Sequence, residues 1–276
     1  MLDKHITDAL IGEIRATARA EILPRFRNLA PGDISAKSHP GDLVTEADKR
    51  AEIRLEGAVR DILPGANFVG EESVAADPDI LEYISSAGLT VVVDPVDGTW
   101  NFAHGLGVFG TMMAVLDGDR PIWGCLYDPL ADDWIEASRG GGVYYCREGH
   151  APRVLGAPRP APVPGAMQGF LQIFQFREAL RPDLELAGRE LGRMMTLGCS
   201  CHEYRMMAMG HMDFSVSVGC APWDHIAGQL ALSEQGGGAL YLDGRPWSPF
   251  EDAPIVIGAD AARRELAYEH LAQLMR

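Results

Sequence analysis

No stretch of the 276 residues approaches the ~20 consecutive apolar positions that a membrane-spanning helix needs, so a helical membrane span is excluded. Positive charge is scarce. There are 24 Lys and Arg against 39 Asp and Glu, a formal net charge of −15. With no basic surplus to release counterions, the balance argues against nucleic acid as a partner. A small phosphorylated substrate is not, because bound cations reverse the sign of a local site. Cysteine is sparse and odd in number: Cys125, Cys146, Cys199, Cys201 and Cys220. The N-terminal segment MLDKHITDALIGEIRATARAEIL carries charge throughout and has no apolar signal core. These features together predict reduced thiols in a cytoplasmic protein. Cys199-Ser-Cys201 is too tight for a zinc ribbon and reads as small packing residues. No Cys or His cluster favours zinc or iron.

What is present is an ordinary globular composition, 47% hydrophobic and 23% charged, enough for a sizeable core in one large domain or two interlocked halves. Apolar spacing predicts helices over 3–27 and 45–62, a strand at 67–70, a polar helix near 78–85 and a strand over 89–94. Antiparallel strands are expected at 107–116, 121–127, 134–138 and 142–146, joined by the turns DGDRP, DPLADD and RGGG. A Pro-rich connection at 151–165 divides an N-terminal α+β half (1–150) from a C-terminal α/β half (166–276). In that second half strands are expected at 167–174, 212–218, 238–242 and 254–259, with helices at 178–195, 200–209, 224–235 and 261–275. There is no internal repeat. The pattern is α/β (α+β) with mixed, layered sheets.

The most informative segment is Val91–Phe102, VVVDPVDGTWNF. An apolar strand delivers Asp94 and Asp97 to its carboxyl end, Pro95 is expected to stop the strand, and Gly98-Thr99 turns the chain. Two close carboxylates repel unless a cation lies between them, and Mg²⁺ is the obvious one. Three further segments are acidic. In Asp42-Leu-Val-Thr45-Glu-Ala-Asp48, Thr45 and Asp48 fit a helix capping box, which would also fix the Asp48 carboxylate. Gly70-Glu71-Glu72-Ser73 is either solvated surface or part of a site. Neighbouring side chains diverge, so Glu71 and Glu72 do not form a glycosidase pair. Asp224 in Trp223-Asp224-His225 is either a helix N-cap or a ligand from the second half. Aspartyl-phosphate phosphatases place their nucleophile two residues before a second Asp. Here that position is Pro95, which disfavours a covalent intermediate and favours metal-activated water.

The order DLVTEAD, GEES, DPVDGTWNF, WDHIAG closely resembles the inositol monophosphatase family of Mg²⁺-dependent, lithium-sensitive phosphatases. The resemblance implies a layered α-β-α-β-α fold, a homodimer and two or three Mg²⁺ per site. It implies that Glu71, Asp94, the Val96 carbonyl, Asp97 and Asp224 hold metal. It further implies that Glu71 orients the attacking water and that Thr99, partnered by Asp48, activates it. The N–H groups of Gly98 and Thr99 would hold phosphate, with Glu72 behind the ligands. Asp97, Trp100, Ser200, Ser217 and Asp224 are the implied substrate contacts. The expected reaction is hydrolysis of an inositol-1-phosphate-like monoester.

The chain departs from the pattern in its substrate half. Trp100 follows the threonine; it either shapes access to the site or packs under the loop. Ser217 stands where inositol phosphatases often carry a Glu. The stretch from Gly198 to Tyr204 differs from the usual run of small residues, and His202 and Glu203 read as packing or surface. These departures keep histidinol phosphate, a sugar bisphosphate and a 3′(2′),5′-bisphosphate nucleotide open as substrates. A regulatory binding protein on the same fold is the other class of reading.

Overall fold

The computed structural model describes residues 2–37, 41–156 and 159–272. The chain opens with α1 (Lys4–Thr17), which buries Leu10, Ile11 and Ile14 on one face. It continues through a π-helical turn at Ala18–Ile22 and a 3₁₀ turn at Leu23–Arg25. The helix expected over 3–27 is therefore three helical forms in series, ending at Arg25 with Pro24 inside the last turn. A small antiparallel hairpin, β1 (Ile34–Ala36) and β2 (Leu43–Thr45), was not expected; it leads into α2 (Glu46–Ile62). Strand β3 (Asn67–Gly70) passes directly into α3 (Glu71–Ala76), and a 3₁₀ stretch over Pro78–Ser85 follows.

Strand β4 runs Leu89–Asp97 and leads to the short α4 (Thr99–Ala103). Next come β5 (Gly110–Asp117), β6 (Arg120–Asp128), β7 (Asp133–Ser138), β8 (Gly142–Arg147) and β9 (Arg153–Val154). Together β3 to β9 form a seven-stranded sheet in sequence order, antiparallel apart from the β3–β4 pair. Part of the Pro-rich stretch thus closes an edge of this sheet. The second half contains β10 (Met167–Leu171), α5 (Arg181–Leu191), β11 (Gly192–Met195), α6 (Ser200–Ala208) and β12 (Phe214–Ser217). It ends with α7 (Pro222–Ser233), β13 (Gly238–Tyr241), β14 (Ile255–Gly258) and α8 (Ala261–Leu271). Its five strands lie in the order β11-β10-β12-β14-β13, parallel across the first three and antiparallel after. The helix expected to reach 195 stops at Leu191. Gly192 has φ 143°, and its backbone lies so close to Met167 that the chain turns into a strand beside β10. The end of the last expected helix, 273–275, lies outside the described residues.

Side-chain alternation explains the layering. Val91 and Val93 of β4, with Met113, Val115 and Trp123, pack on Leu10, Ile14, Ala51 and Leu55 of α1 and α2. Val92, Met112, Leu126 and Ile135 point the other way, onto Tyr204, Ile226 and Leu230 of α6 and α7. Those two helices also carry Phe170, Ile255 and Ile257 of the second sheet. The outer face of that sheet is covered by Leu184, Leu191, Ala267 and Leu271 of α5 and α8. The architecture is therefore α-β-α-β-α, with α6 and α7 between the sheets. No helix of the described residues is long and apolar enough to cross a membrane. All five cysteines are free and buried.

Candidate active site

In a regular strand, residues three apart face opposite sides of the sheet. The β4–β5 register shifts between Asp94 and Asp97, and this irregularity re-aims the two carboxylates. Pro95 does not stop the strand as expected; pairing resumes at Asp97–Gly110. Pro95 lacks a donor, but its carbonyl accepts from Thr111 Oγ1 at 2.9 Å. The backbone N–H of Val96 donates to Asp94 Oδ1 at 3.0 Å. Gly98 then takes φ 84°, and an added Cβ would lie 2.9 Å from the Val108 carbonyl oxygen. Glycine is required there on both counts.

Asp97 acts across the fold as an anionic cap for α6. The backbone N–H of Ser200 donates to Asp97 Oδ1 at 3.1 Å, and that of Cys201 donates to Oδ2. The Cys199 thiol also donates to Asp97 Oδ2, at 3.0 Å. The Cys-Ser-Cys segment therefore does more than pack: it positions a carboxylate. This holding group spans 102 residues of sequence, and no local signal marked it.

Asp48 is fully buried at the start of α2. It accepts from the Thr45 backbone N–H at 2.9 Å, while the Thr45 side chain accepts from the backbone N–H of Asp48, which completes the capping box; the Thr45 hydroxyl also donates to Asp48. Its other oxygen faces Thr99, whose Oγ1 lies 3.0 Å from Asp48 Oδ1 and 2.9 Å from the Val96 carbonyl oxygen. Capping and functional geometry coexist on one carboxylate. Burial raises the Asp48 carboxyl above its ordinary value.

Glu71 and Glu72 begin α3, and a residue missed in the sequence holds that helix. Glu52 of α2 is buried and accepts from the N–H groups of Glu72 and Ser73, both at 2.7 Å. A Cβ at Gly70 would lie 2.2 Å from Glu52 Cδ, so glycine opens the space this clamp uses. Lys37 Nζ donates to Glu71 at 2.6 Å and to Glu72 at 2.5 Å. Burial nevertheless pushes the Glu71 carboxyl up to about 7.

Asp224 lies in the first turn of α7, behind Pro222 at the helix start. Oxygens of Asp94, Asp97 and Asp224 lie within 4.8 Å of one another. All three carboxyls are raised, Asp94 and Asp224 well above the ordinary range. Burial is the main cause. For Asp94 the charge of Glu71 comes next, followed by those of Asp97 and Asp224. A buried cluster of like charges must take up protons or a cation. Its donors are carboxylate oxygens, with the Val96 carbonyl at the same strand end, a set suited to a hard divalent ion such as Mg²⁺. Lys37 supplies one positive charge, directed at Glu71 and Glu72 rather than at the triad.

A cleft of about 1020 Å³ opens above Asp97 and Asp224. Trp100, Ser200 and Gln172 are among its lining, so Trp100 does not pack under the loop; it is 50% exposed. Ser217 is not among the lining residues, and its Oγ donates to the Gly219 carbonyl at 2.6 Å. His202 packs, with Nε2 3.0 Å from the Phe109 carbonyl oxygen. Glu203 is buried and its carboxyl is pushed up to about 7. His225 is buried and pushed down to about 4, hence neutral. Its Nε2 lies 3.1 Å from the Gly219 carbonyl, which can only accept, so Nδ1 receives the Tyr204 hydroxyl at 2.8 Å. This arrangement steadies the Gly219 wall of the cleft.

The model of the inositol monophosphatase family matches residues 3–276. An inositol-1-monophosphatase of Bacillus subtilis is 27% identical over 241 residues, covering 86% of this chain and 87% of that one. Among solved structures, an IMPase of Thermotoga maritima superposes with a TM-score of 0.81 at 20% identity, covering 98% of this chain and 97% of the other. An IMPase/NADP phosphatase complexed with Mg²⁺ and phosphate superposes with a TM-score of 0.80 at 18% identity, covering 97% and 95%.

Proposed function

This chain belongs to the inositol monophosphatase family, and on that premise we propose that it hydrolyses a small-molecule phosphate monoester with Mg²⁺ held at the Asp94, Asp97 and Asp224 cluster. The observation that carries the reading is the meeting of those three carboxylates, from both halves of the chain, within 4.8 Å, with Asp94 and Asp97 buried and Asp224 half-buried. The presence of Mg²⁺ and phosphate together in a solved structure of the same fold supports it. In this reading Glu71, Asp94, the Val96 carbonyl, Asp97 and Asp224 hold two or three ions. Bound Mg²⁺ neutralises the phosphate dianion and lowers the pKa of bound water.

The remaining work falls to the chain's own groups. Asp48 is fixed by the Thr45 N–H and orients the Thr99 hydroxyl at 3.0 Å, leaving the Thr99 oxygen free to accept from the attacking water. The water's proton passes through Thr99 toward Asp48, and Glu71 orients the water from the other side. The N–H groups of Gly98 and Thr99 open the first turn of α4, where such donors have no intrahelical partner, and hold a phosphate oxygen. Ser200 and Trp100 meet the alcohol. The reading extends to lithium inhibition, a cytoplasmic location and a homodimer. Asp94→Asn and Asp97→Asn are expected to remove phosphate release from inositol 1-phosphate while the circular dichroism spectrum stays that of the folded protein. Near wild-type turnover in either folded variant overturns the mechanism.

A further inference from the structure

The N–H groups of Ser200 and Cys201 hold Asp97 only while α6 keeps its place along its own axis. Resting on the metal-holding reading of the floor, we propose that Arg205 is the positioning residue that sets this place. Through its buried ion pair with Asp133 it fixes the start of α6 against Asp97, and so governs how tightly the floor holds Mg²⁺.

Three observations carry this. First, the contact is buried and directional. Arg205 and Asp133 are both buried. One terminal nitrogen of Arg205 donates to the Leu126 carbonyl of β6 at 2.7 Å, and the other donates to Asp133 Oδ1 of β7. The side chains of Met207 and Ala208, further along α6, join the apolar layer between the sheets. Apolar contact is non-directional and sets no single position along a helix axis. A guanidinium held by a carbonyl and a carboxylate does set one.

Second, one helix joins this contact to the metal ligand. Arg205 stands one turn after Cys201 and on the same face of α6, and Cys201 Sγ lies 3.7 Å from the carbonyl oxygen of Tyr127, the neighbour of Leu126. Ser200 is about 7.5 Å back along the axis, at 1.5 Å per residue. A slip at Arg205 therefore reaches the N–H groups at Asp97 through a single rigid element. Third, the anchor is itself held. The Tyr145 hydroxyl of β8 donates to Asp133 Oδ2 at 2.6 Å. The preceding residue, Asp132, accepts from Arg15 of α1 at 2.8 Å and from the Tyr127 hydroxyl at 2.9 Å. Arg205 Nε, by contrast, is buried with no partner among the described residues. A charge buried at that cost is a weak stabiliser, and what it supplies here is a fixed position.

The test titrates Mg²⁺ alone into the full chain by calorimetry, beside a measurement of Tm. Arg205→Met is expected to lower Tm and to raise the Mg²⁺ dissociation constant about tenfold, the lower end for groups that support a metal ligand. The double variant Arg205→Met, Asp133→Asn leaves no buried charge unpaired and serves also where the single one does not fold. Its Tm is expected to return toward that of the wild type while Mg²⁺ binding stays about tenfold weaker. Arg205→Lys keeps the charge but not the two-armed contact, and its Mg²⁺ affinity should lie between those of the wild type and Arg205→Met. Mg²⁺ binding that recovers together with Tm in the double variant, or that is unchanged in either folded variant, overturns the proposal and leaves the metal-holding reading intact. A wild-type chain that binds no Mg²⁺ overturns that reading, and this proposal with it.

Discussion

On the floor of the cleft Asp48, Asp94 and Asp97 are buried, and each is oriented by a backbone N–H: Thr45, Val96, and the pair Ser200 and Cys201. Along the walls Trp100, Leu106 and Phe174 are half exposed or more, on short helical turns and loops. The floor must hold several negative charges at fixed separations, which requires donors that cannot swing away. The walls need only shape and surface, and can change without disturbing the charges beneath. One scaffold can therefore keep its chemistry and alter its substrate.

That contrast can be broken from either side. Among changes that leave every metal ligand in place, the largest effect should come from Thr99→Ala, which removes the hydroxyl facing Asp48. Steady-state kinetics should show kcat falling on the order of 10²–10⁴-fold with KM little changed, the range of a lost general acid–base group. A KM-only effect would move Thr99 from the floor to the walls. Cys199→Ala removes one of the three donors to Asp97 and should weaken Mg²⁺ half-saturation about tenfold, the lower end for groups supporting a ligand. Cys199→Ser should recover most of it. An unchanged Mg²⁺ requirement would show that Cys199 only packs.

The smallest effect is on stability. Burial raises the Glu71 and Glu203 carboxyls from their ordinary 4.5 to about 7. The folded state then binds more protons than the unfolded state, so this contribution is fully present below about 4.5 and is lost as pH rises through about 7. Asp132, held low by Arg15, works in the opposite sense only below the ordinary Asp value of 3.8, and His225, pushed down to about 4, works in the opposite sense as pH rises from about 4 to its ordinary 6.5, one group against the several raised carboxyls of the floor. Metal-free protein should therefore show a lower Tm at pH 8 than at pH 5, and added Mg²⁺ should raise Tm more at pH 8. A metal-free Tm that climbs from pH 5 to pH 8 would contradict the picture of a floor under charge repulsion.

The two regions also differ in how far the sequence revealed them. The acids of the floor stand in compact local patterns: Thr45 with Asp48 at capping distance, Glu71 at the end of an apolar strand, Asp94 and Asp97 around a proline. Most strands and helices followed from apolar spacing, because most element faces are set by their own residues; the layered order was implied by the family resemblance. The supports were not legible, because each reaches across the chain. Glu52 clamps α3 from 20 residues away, and Cys199 meets Asp97 across 102. Nor did strand propensity reveal the register shift after Asp94, which depends on pairing with β5. Glu203 was read as packing or surface; its buried carboxylate is legible only once β12 brings Ser215 to it.

The most direct test of the metal-dependent floor is phosphate release from a monoester by protein stripped with a chelator and then titrated with Mg²⁺. Release should be absent in the stripped protein, return with Mg²⁺, and stay absent in Asp224→Asn at the concentration that saturates the wild type. Undiminished release by the stripped protein would contradict the account.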